Sequence, residues 1–186
     1  TLEYYRTIVH RYVERFGDHS YPEIIIYSVS FQQYIDWMER EAWDPLAAGL
    51  IEAGHRLEAA GADLLLIATN TMHIVFDQVQ AQMTVPMVSL LDAVGDAIEA
   101  HGWKTVGLLG SIITMEKPFY LDALAARGIK VLVPEREERL YIDKVIFDEL
   151  SVGLLRAESR APYLALIDEL VSRGAQAAIL GCTELP

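Results

Sequence analysis

Two short polar segments carry the residue types that could do acid–base chemistry. One is Thr69-Asn70-Thr71 and the other is Cys182-Thr183-Glu184. Each follows a Gly-Ala pair and an apolar stretch, and Thr69 and Cys182 both fall eight residues after their glycine. Helix–glycine–strand connections are common, but the matching polar triplets favour an internal repeat. Ligands of open α/β sheets bind at the carboxyl ends of strands, so the repeat could place the two segments on opposite walls of one cleft.

Cys182 is suited to proton transfer at a carbon atom. The Cα–H of an amino acid is a very weak acid, and its inversion can use one residue to remove the proton and another to return it from the opposite face. A cysteine near a helix N-terminus can have a lowered pKa and act as a thiolate. Cys182 is the only cysteine in the chain. The alternative is a buried, inert cysteine that behaves as a small hydrophobe.

Thr69 would be the second acid/base residue of such a site. A threonine hydroxyl is a poor base unless a neighbour activates it, so the two directions of the reaction should be chemically unequal. The alternative is a threonine that only ends a strand or caps a helix. The sequence leaves both interpretations open.

Cofactor and metal chemistry receive little support from the residues. A pyridoxal enzyme needs a lysine for its Schiff base, and none of the four lysines occupies a persuasive strand-end position; they are Lys104, Lys117, Lys130 and Lys144. The five histidines lack the spacing of a metal site. We therefore expect no cofactor and no metal.

The periodicity of apolar residues predicts the elements that position these segments. The predicted strands are 23–27, 63–68, 87–90, 105–109, 129–133 and 176–180. Helices of ten or more residues are predicted between most of them, and residues 28–43 are predicted to form a loop or lid. Strands that alternate with helices imply parallel βαβ units. The predicted fold class is α/β with a largely parallel sheet.

Composition limits the partners. The chain has a formal net charge of −12, and a surface this acidic repels phosphate backbones, so we expect no nucleic acid. The sequence has no run of eighteen apolar residues and no secretory leader, which predicts no membrane partner and a cytoplasmic protein. An anionic small substrate would need local positive potential at its site.

Several motifs, taken in order along the chain, resemble the aspartate/glutamate racemase family. They are Ala68-Thr69-Asn70-Thr71-Met72-His73, Gly107-Leu108-Leu109-Gly110, Thr114-Met115-Glu116, residues 145–150, Ser159-Arg160 and Gly181-Cys182-Thr183-Glu184. The resemblance implies two pseudo-symmetric α/β halves, 1–91 and 92–186, with a catalytic cleft between them. It also implies a homodimer and racemisation without pyridoxal phosphate. Most members carry a cysteine in each half, and Thr69 replaces the first one here.

Residues beside the two polar segments and after the predicted strand 105–109 are candidates for substrate binding, and the resemblance implies a longer chain. The binding candidates are Asn70, Thr71, His73, Ser111, Thr114, Met115 and Thr183, each of which could instead be a cap or turn residue. Backbone N–H groups at helix starts beside them could hold a carboxylate. Family members have a strand and a loop before the residue equivalent to Thr1 and a continuation after Pro186, so we expect the chain to be truncated at both ends.

Three functions follow as hypotheses. The leading one is racemisation of aspartate or glutamate by Cys182 and Thr69 on opposite faces of Cα. The second is a one-cysteine decarboxylase or cis–trans isomerase of the same superfamily that acts on a small dicarboxylic acid. The third is a non-catalytic protein that binds an amino acid.

Overall fold

The structure is a computed structural model that describes residues 1–185, and it divides the chain into two compact units. The first unit comprises Thr1–Ala68 and Val75–Val88, and the second comprises Thr69–Ile74 and the chain from Ser89 onward. The predicted halves 1–91 and 92–186 assigned residues 69–74 to the first half. In the structure this short segment packs with the second unit.

The first unit consists of four helices and a small parallel sheet. Its helices are α1 (Leu2–Phe16), α2 (Phe31–Glu39), α3 (Trp43–Ala59) and α4 (Phe76–Gln80), and its strands are β1 (Leu65–Leu66) and β2 (Met87–Val88). The two strands are parallel, with Leu65 opposite Met87 and Leu66 opposite Val88. On α3, Leu46 and Ala47 are fully buried.

Two sequence predictions for the first unit are wrong. Residues 23–27 were predicted to form a buried strand, but they form no strand, and Ile25 is 48% exposed. An extended run becomes a strand only by pairing with a neighbour, and no strand among the described residues pairs with it. The predicted loop over 28–43 contains α2 instead. That helix buries Tyr34 and Met38, which lie four residues apart on one face.

The second unit contains the remaining α-helices and strands, with at least one helix between consecutive strands. In chain order they are α5 (Leu90–Ala100), β3 (Thr105–Leu109), α6 (Ile112–Glu116), α7 (Pro118–Ala125), β4 (Lys130–Leu132), α8 (Arg136–Asp148), α9 (Ala157–Ser172) and β5 (Ala178–Leu180). Local sequence explains several helix starts. Ser89 caps α5 by accepting a hydrogen bond from the Asp92 amide, and Pro118 opens α7.

The sheet of the second unit has the strand order β4-β3-β5, and all of its strands are parallel. The central strand β3 is almost entirely apolar, with Val106, Leu108 and Leu109 fully buried, because helices cover both faces of such a sheet. These residues join one hydrophobic cluster with α7, α8 and α9. The chain is therefore an α/β protein with parallel strands in two sheets, as predicted.

The two repeat segments also share a local backbone feature. Gly61 and Gly174 end a helical segment with φ of 93° and 103°, a conformation that favours glycine. Aligning the two glycines places Leu65–Leu66 over residues 178 and 179, which lie within β5. The internal repeat thus aligns strand with strand.

Among the described residues, none of the helices combines the length and apolar character that spanning a membrane requires.

Candidate functional site

Residues 69–74 lie between β1 and α4 and include most of a tight turn that begins at Thr71. The turn is a 3₁₀ helix over Thr71–Val75, and the His73 amide donates to the Asn70 carbonyl at 2.9 Å. Thr69 and Asn70 are half-buried, whereas Thr71, Met72 and His73 are buried. A short polar segment is therefore fixed inside the second unit.

Three hydroxyl groups form a closed, buried triangle in the second unit. The Thr71 hydroxyl lies 3.0 Å from that of Ser111 and 3.1 Å from that of Thr114, and the last two are 3.1 Å apart. Thr114 is completely buried. Each hydroxyl can donate one hydrogen bond and accept others, so the triangle satisfies three polar groups that burial would otherwise destabilise. It joins the 69–74 segment to the loop that follows β3.

His73 is held as a neutral imidazole of defined tautomer. The Leu90 amide donates to Nε2 at 3.0 Å, so the proton lies on Nδ1, which donates to the Thr69 carbonyl at 2.9 Å. Burial lowers the pKa of His73, although its backbone hydrogen bonds oppose the shift. His73 therefore fixes the backbone of Thr69 and the start of α5.

The carboxyl ends of β3 and β5 approach each other closely through two glycines. The Gly181 amide donates to the Leu109 carbonyl at 2.6 Å. A Cβ on Gly110 would lie 3.2 Å from the Gly181 carbonyl oxygen, and a Cβ on Gly181 would lie 3.3 Å from the methyl group of Thr114. Cys182 follows this contact directly. Thr114 thus binds Thr71 through its hydroxyl and packs on the segment before Cys182 through its methyl group.

The thiol of Cys182 is less acidic than we expected. Cys182 is half-buried, packs against the hydrophobic cluster and lies in a turn. Burial raises the pKa of the Cys182 thiol, and the negative charges of Glu184 and Asp143 raise it further, while a hydrogen bond from the Glu184 amide acts in the opposite direction. The expectation of a lowered pKa is therefore wrong for this structure, and the thiol is protonated at neutral pH.

Two residues that the sequence did not suggest, Asp143 of α8 and Tyr163 of α9, interact electrostatically with this thiol. The Asp143 carboxylate accepts a hydrogen bond from the Ile112 amide at 2.7 Å, and burial raises the pKa of Asp143. The Tyr163 hydroxyl donates to the Ile142 carbonyl at 3.0 Å. Burial is the main cause that raises the pKa of Tyr163, and nearby acidic groups raise it further. Both residues lie within long helices, and no local sequence signal marks them.

The remaining predicted residues have simpler surroundings. Met115 is buried in the hydrophobic cluster, which packing alone explains. Thr183 is exposed, and its hydroxyl donates to the Glu184 carboxylate at 3.4 Å. No cluster of three or more potential metal ligands of the His, Cys, Asp or Glu type occurs within residues 1–185.

The parallel sheets and the polar residues at their strand ends define an α/β protein with a candidate small-molecule site. Comparison with known proteins gives the family. The chain belongs to the Asp/Glu/Hydantoin racemase family, whose model matches residues 1–186. This agrees with the resemblance found in the motifs and supports an isomerase-type enzyme that acts on a small molecule.

Two solved structures and one curated protein illustrate the likeness. A Yersinia pestis protein assigned as an Asp/Glu racemase is 34% identical, has a TM-score of 0.90, and matches 99% of this chain and 80% of its own. An aspartate racemase homologue from Pyrococcus horikoshii OT3 is 41% identical, has a TM-score of 0.82, and matches 100% of this chain and 80% of its own. The broad specificity amino-acid racemase RacX of Bacillus subtilis (strain 168) is 24% identical over 91% of this chain and 72% of its own length.

Proposed function

We propose that this protein racemises an amino acid by proton transfer at Cα, with Cys182 and Thr69 as the acid/base pair. The observation that carries the proposal is the set of contacts of Thr114. Its hydroxyl binds Thr71, two residues after Thr69, and its methyl group packs against Gly181, one residue before Cys182. One buried side chain thereby supports both polar segments within the second unit. The family match supports the same chemistry.

The protonation state of Cys182 gives the pair unequal roles. Since burial and nearby carboxylates raise the pKa of the thiol, Cys182 is poised to donate a proton to Cα. In the reverse direction it must first ionise. The ammonium group of a bound amino acid would offset the negative charges of Glu184 and Asp143 and so favour the thiolate. Thr69 lacks a comparable source of acidity or basicity, so one enantiomer should be converted faster than the other.

The proposed substrates are aspartate and glutamate, and the proposed reaction needs no pyridoxal phosphate. Family membership and the racemase names of the relatives support this substrate class. Lys104 lies just before β3, and Lys130 is the first residue of β4, so these two lysines are at the amino ends of strands, away from the polar segments at the carboxyl ends. We also propose that the protein is a homodimer, which analytical sedimentation tests, and that it is located in the cytoplasm, which cell fractionation tests.

The decisive experiment follows the incorporation of deuterium at Cα in D₂O, with each enantiomer of aspartate and glutamate measured separately. We expect exchange for at least one of these acids and unequal rates for its two enantiomers. Cys182→Ala should abolish exchange, and Thr69→Ala should reduce it mainly in one direction. Full exchange by Cys182→Ala would exclude the assigned role of Cys182.

The single cysteine favours a second candidate, the decarboxylation or cis–trans isomerisation of a small dicarboxylic acid. A single thiol can protonate the carbanion that loss of CO₂ leaves, or add across a C=C bond and leave again after rotation, and this chain contains no second cysteine. Turnover of a malonate-like or maleate-like acid that survives Thr69→Ala would select this candidate. Tight amino-acid binding without exchange would instead indicate a non-catalytic binding protein.

A further inference from the structure

The first unit contains a cleft that no part of the proposed reaction uses. It has a volume of about 290 Å³ and lies where the 27–30 segment faces α2 and α3. Tyr34 and Trp37 of α2 form an aromatic wall, with their rings 5.1 Å apart and nearly perpendicular. Glu52 and Arg56, one turn apart on α3, provide the charged groups. The cleft is therefore apolar on one side and carries both signs of charge on the other.

The wall of the cleft depends on a glycine. A Cβ on Gly49 would lie 2.7 Å from the Tyr34 hydroxyl and 3.1 Å from the ring of Trp37. Any larger residue at this position would push these side chains away or occupy the cleft. Tyr34 is nearly fully buried, and burial together with the charge of Glu52 raises its pKa, so its hydroxyl stays neutral and can donate a hydrogen bond. Gly49 and the buried Tyr34 therefore fix the position of the aromatic wall.

The charged groups are paired and reachable from solvent. The Arg56 guanidinium donates to the Glu52 carboxylate and to the Tyr27 hydroxyl, and its Cζ atom lies 5.3 Å from the centre of the Tyr27 ring. The side chains of Arg56 and Glu52 are 55% and 66% exposed, so their ion pair can open at little cost. A ligand with one positive and one negative group could pair with both Glu52 and Arg56, so that each keeps a partner of opposite charge.

We propose that this cleft binds a free α-amino acid as its zwitterion. The ligand carboxylate would take the place of Glu52 on the Arg56 fork, and the ligand ammonium would take the place of Arg56 on Glu52. An apolar side chain would lie against Trp37, whose ring Tyr34 supports from behind. Glu52 would repel a ligand that carries only a negative group, and Arg56 would repel one that carries only a positive group. The paired charges therefore favour a zwitterion. The inference concerns binding and does not depend on the proposed racemase activity.

The test is calorimetric titration with three related probes. Phenylalanine carries both charges, phenylalaninamide lacks the carboxylate, and 3-phenylpropionate lacks the ammonium group. We expect phenylalanine to bind about two- to fivefold more tightly than either analogue, which is the size of one solvent-exposed ion pair. Equal affinity for the three probes, or no binding of phenylalanine at millimolar concentration, would overturn the proposal.

Variants locate the binding. Arg56→Gln should lower the affinity for phenylalanine to about that of wild type for phenylalaninamide, and Gly49→Val should lower it at least as much. Cys182→Ala should leave it unchanged. The matched control Arg11→Gln removes an exposed arginine that also pairs with a glutamate on its own helix, and it should bind as wild type. If circular dichroism shows that Gly49→Val does not fold, the affinity of Arg56→Gln alone tests the proposal. Wild-type affinity in Arg56→Gln contradicts the assignment, whatever the exchange activity at Cys182.

Discussion

The hydroxyl groups of Thr71 and Thr114 lie 3.1 Å apart although 43 residues separate them in the chain. Thr71 belongs to the turn after β1, and Thr114 belongs to α6, after β3. With Ser111 they form a triangle that shields three polar groups from water. Removing only one hydroxyl of this triangle should lower the stability of the fold, because the other two hydroxyls lose a hydrogen-bond partner while they stay buried.

Replacing Thr114 by valine tests the importance of this triangle. Valine keeps the shape and the methyl contact with Gly181 but removes the hydroxyl, which should lower the free energy of unfolding by about 1–3 kcal/mol. Thr71→Val should have a similar effect, and the double variant should cost less than the sum of the two. Denaturant unfolding monitors all three. Additive effects would show that the hydroxyls are not coupled, and Thr7→Val, at an exposed position on α1, is the control.

The acidity of Cys182 can be measured directly because the chain has no other thiol. We expect alkylation by iodoacetamide to speed up with pH through a midpoint above the ordinary thiol pKa, since burial and the charges of Glu184 and Asp143 raise the pKa of Cys182. Asp143→Asn and Glu184→Gln should each move the midpoint to lower pH. Asp122→Asn, at an exposed position on α7, should leave it in place. A midpoint below the ordinary pKa would contradict the described environment.

Sequence patterns predicted the second unit well because its signals are local. Thr105–Leu109 is an apolar run between turn residues, and the strand has the predicted bounds. The strand predicted at 176–180 is confirmed over Ala178–Leu180. In the first unit the apolar run 23–27 gave the same signal and forms no strand. Strand formation needs a pairing partner as well as an apolar sequence, and the run itself does not reveal whether one exists.

The sequence points to candidate residues for the site but not to the electrostatics around them. Polar triplets after two apolar runs indicate Thr69 and Cys182, whose catalytic roles stay predictions, and Thr114 lies between the residues that flank them. The carboxylate of Asp143 comes from a helix 39 residues before Cys182 in sequence, and only the tertiary fold brings its charge to bear on the thiol. A pKa that depends on burial and on distant charges cannot be derived from neighbouring residues alone.

His73 should make the stability of the protein fall in mildly acidic solution. Burial lowers its pKa in the folded state, so the unfolded chain takes up a proton at higher pH than the folded chain does. The contribution of His73 is complete above the ordinary histidine pKa of 6.5 and is lost as pH falls from there through the lowered folded value. His73→Gln should flatten this part of the curve of unfolding free energy against pH. His19→Gln, at an exposed position, should not, and equal slopes in all three proteins would contradict the prediction.

Glu58 should stabilise the first unit down to strongly acidic pH. Its carboxylate accepts hydrogen bonds from the Thr84 amide at 2.6 Å, the Thr84 hydroxyl at 2.8 Å and the Val85 amide at 3.1 Å, which fixes the chain just before β2. The hydrogen bonds from Thr84 and from His55 lower the pKa of Glu58 to about 2. The stabilisation is complete above the ordinary glutamate pKa of 4.5 and is lost as pH falls through about 2.

Substitution of Glu58 by glutamine separates this charge effect from the hydrogen bonds. Glutamine retains one carbonyl acceptor, so Glu58→Gln should be less stable than wild type at neutral pH, and the difference should shrink as pH falls towards about 2. Glu14→Gln, on the exposed surface of α1, provides the control. Thermal unfolding followed by circular dichroism between neutral and acidic pH measures the difference. A gap between wild type and Glu58→Gln that stays constant over this range would mean that the carboxylate charge does not hold Thr84.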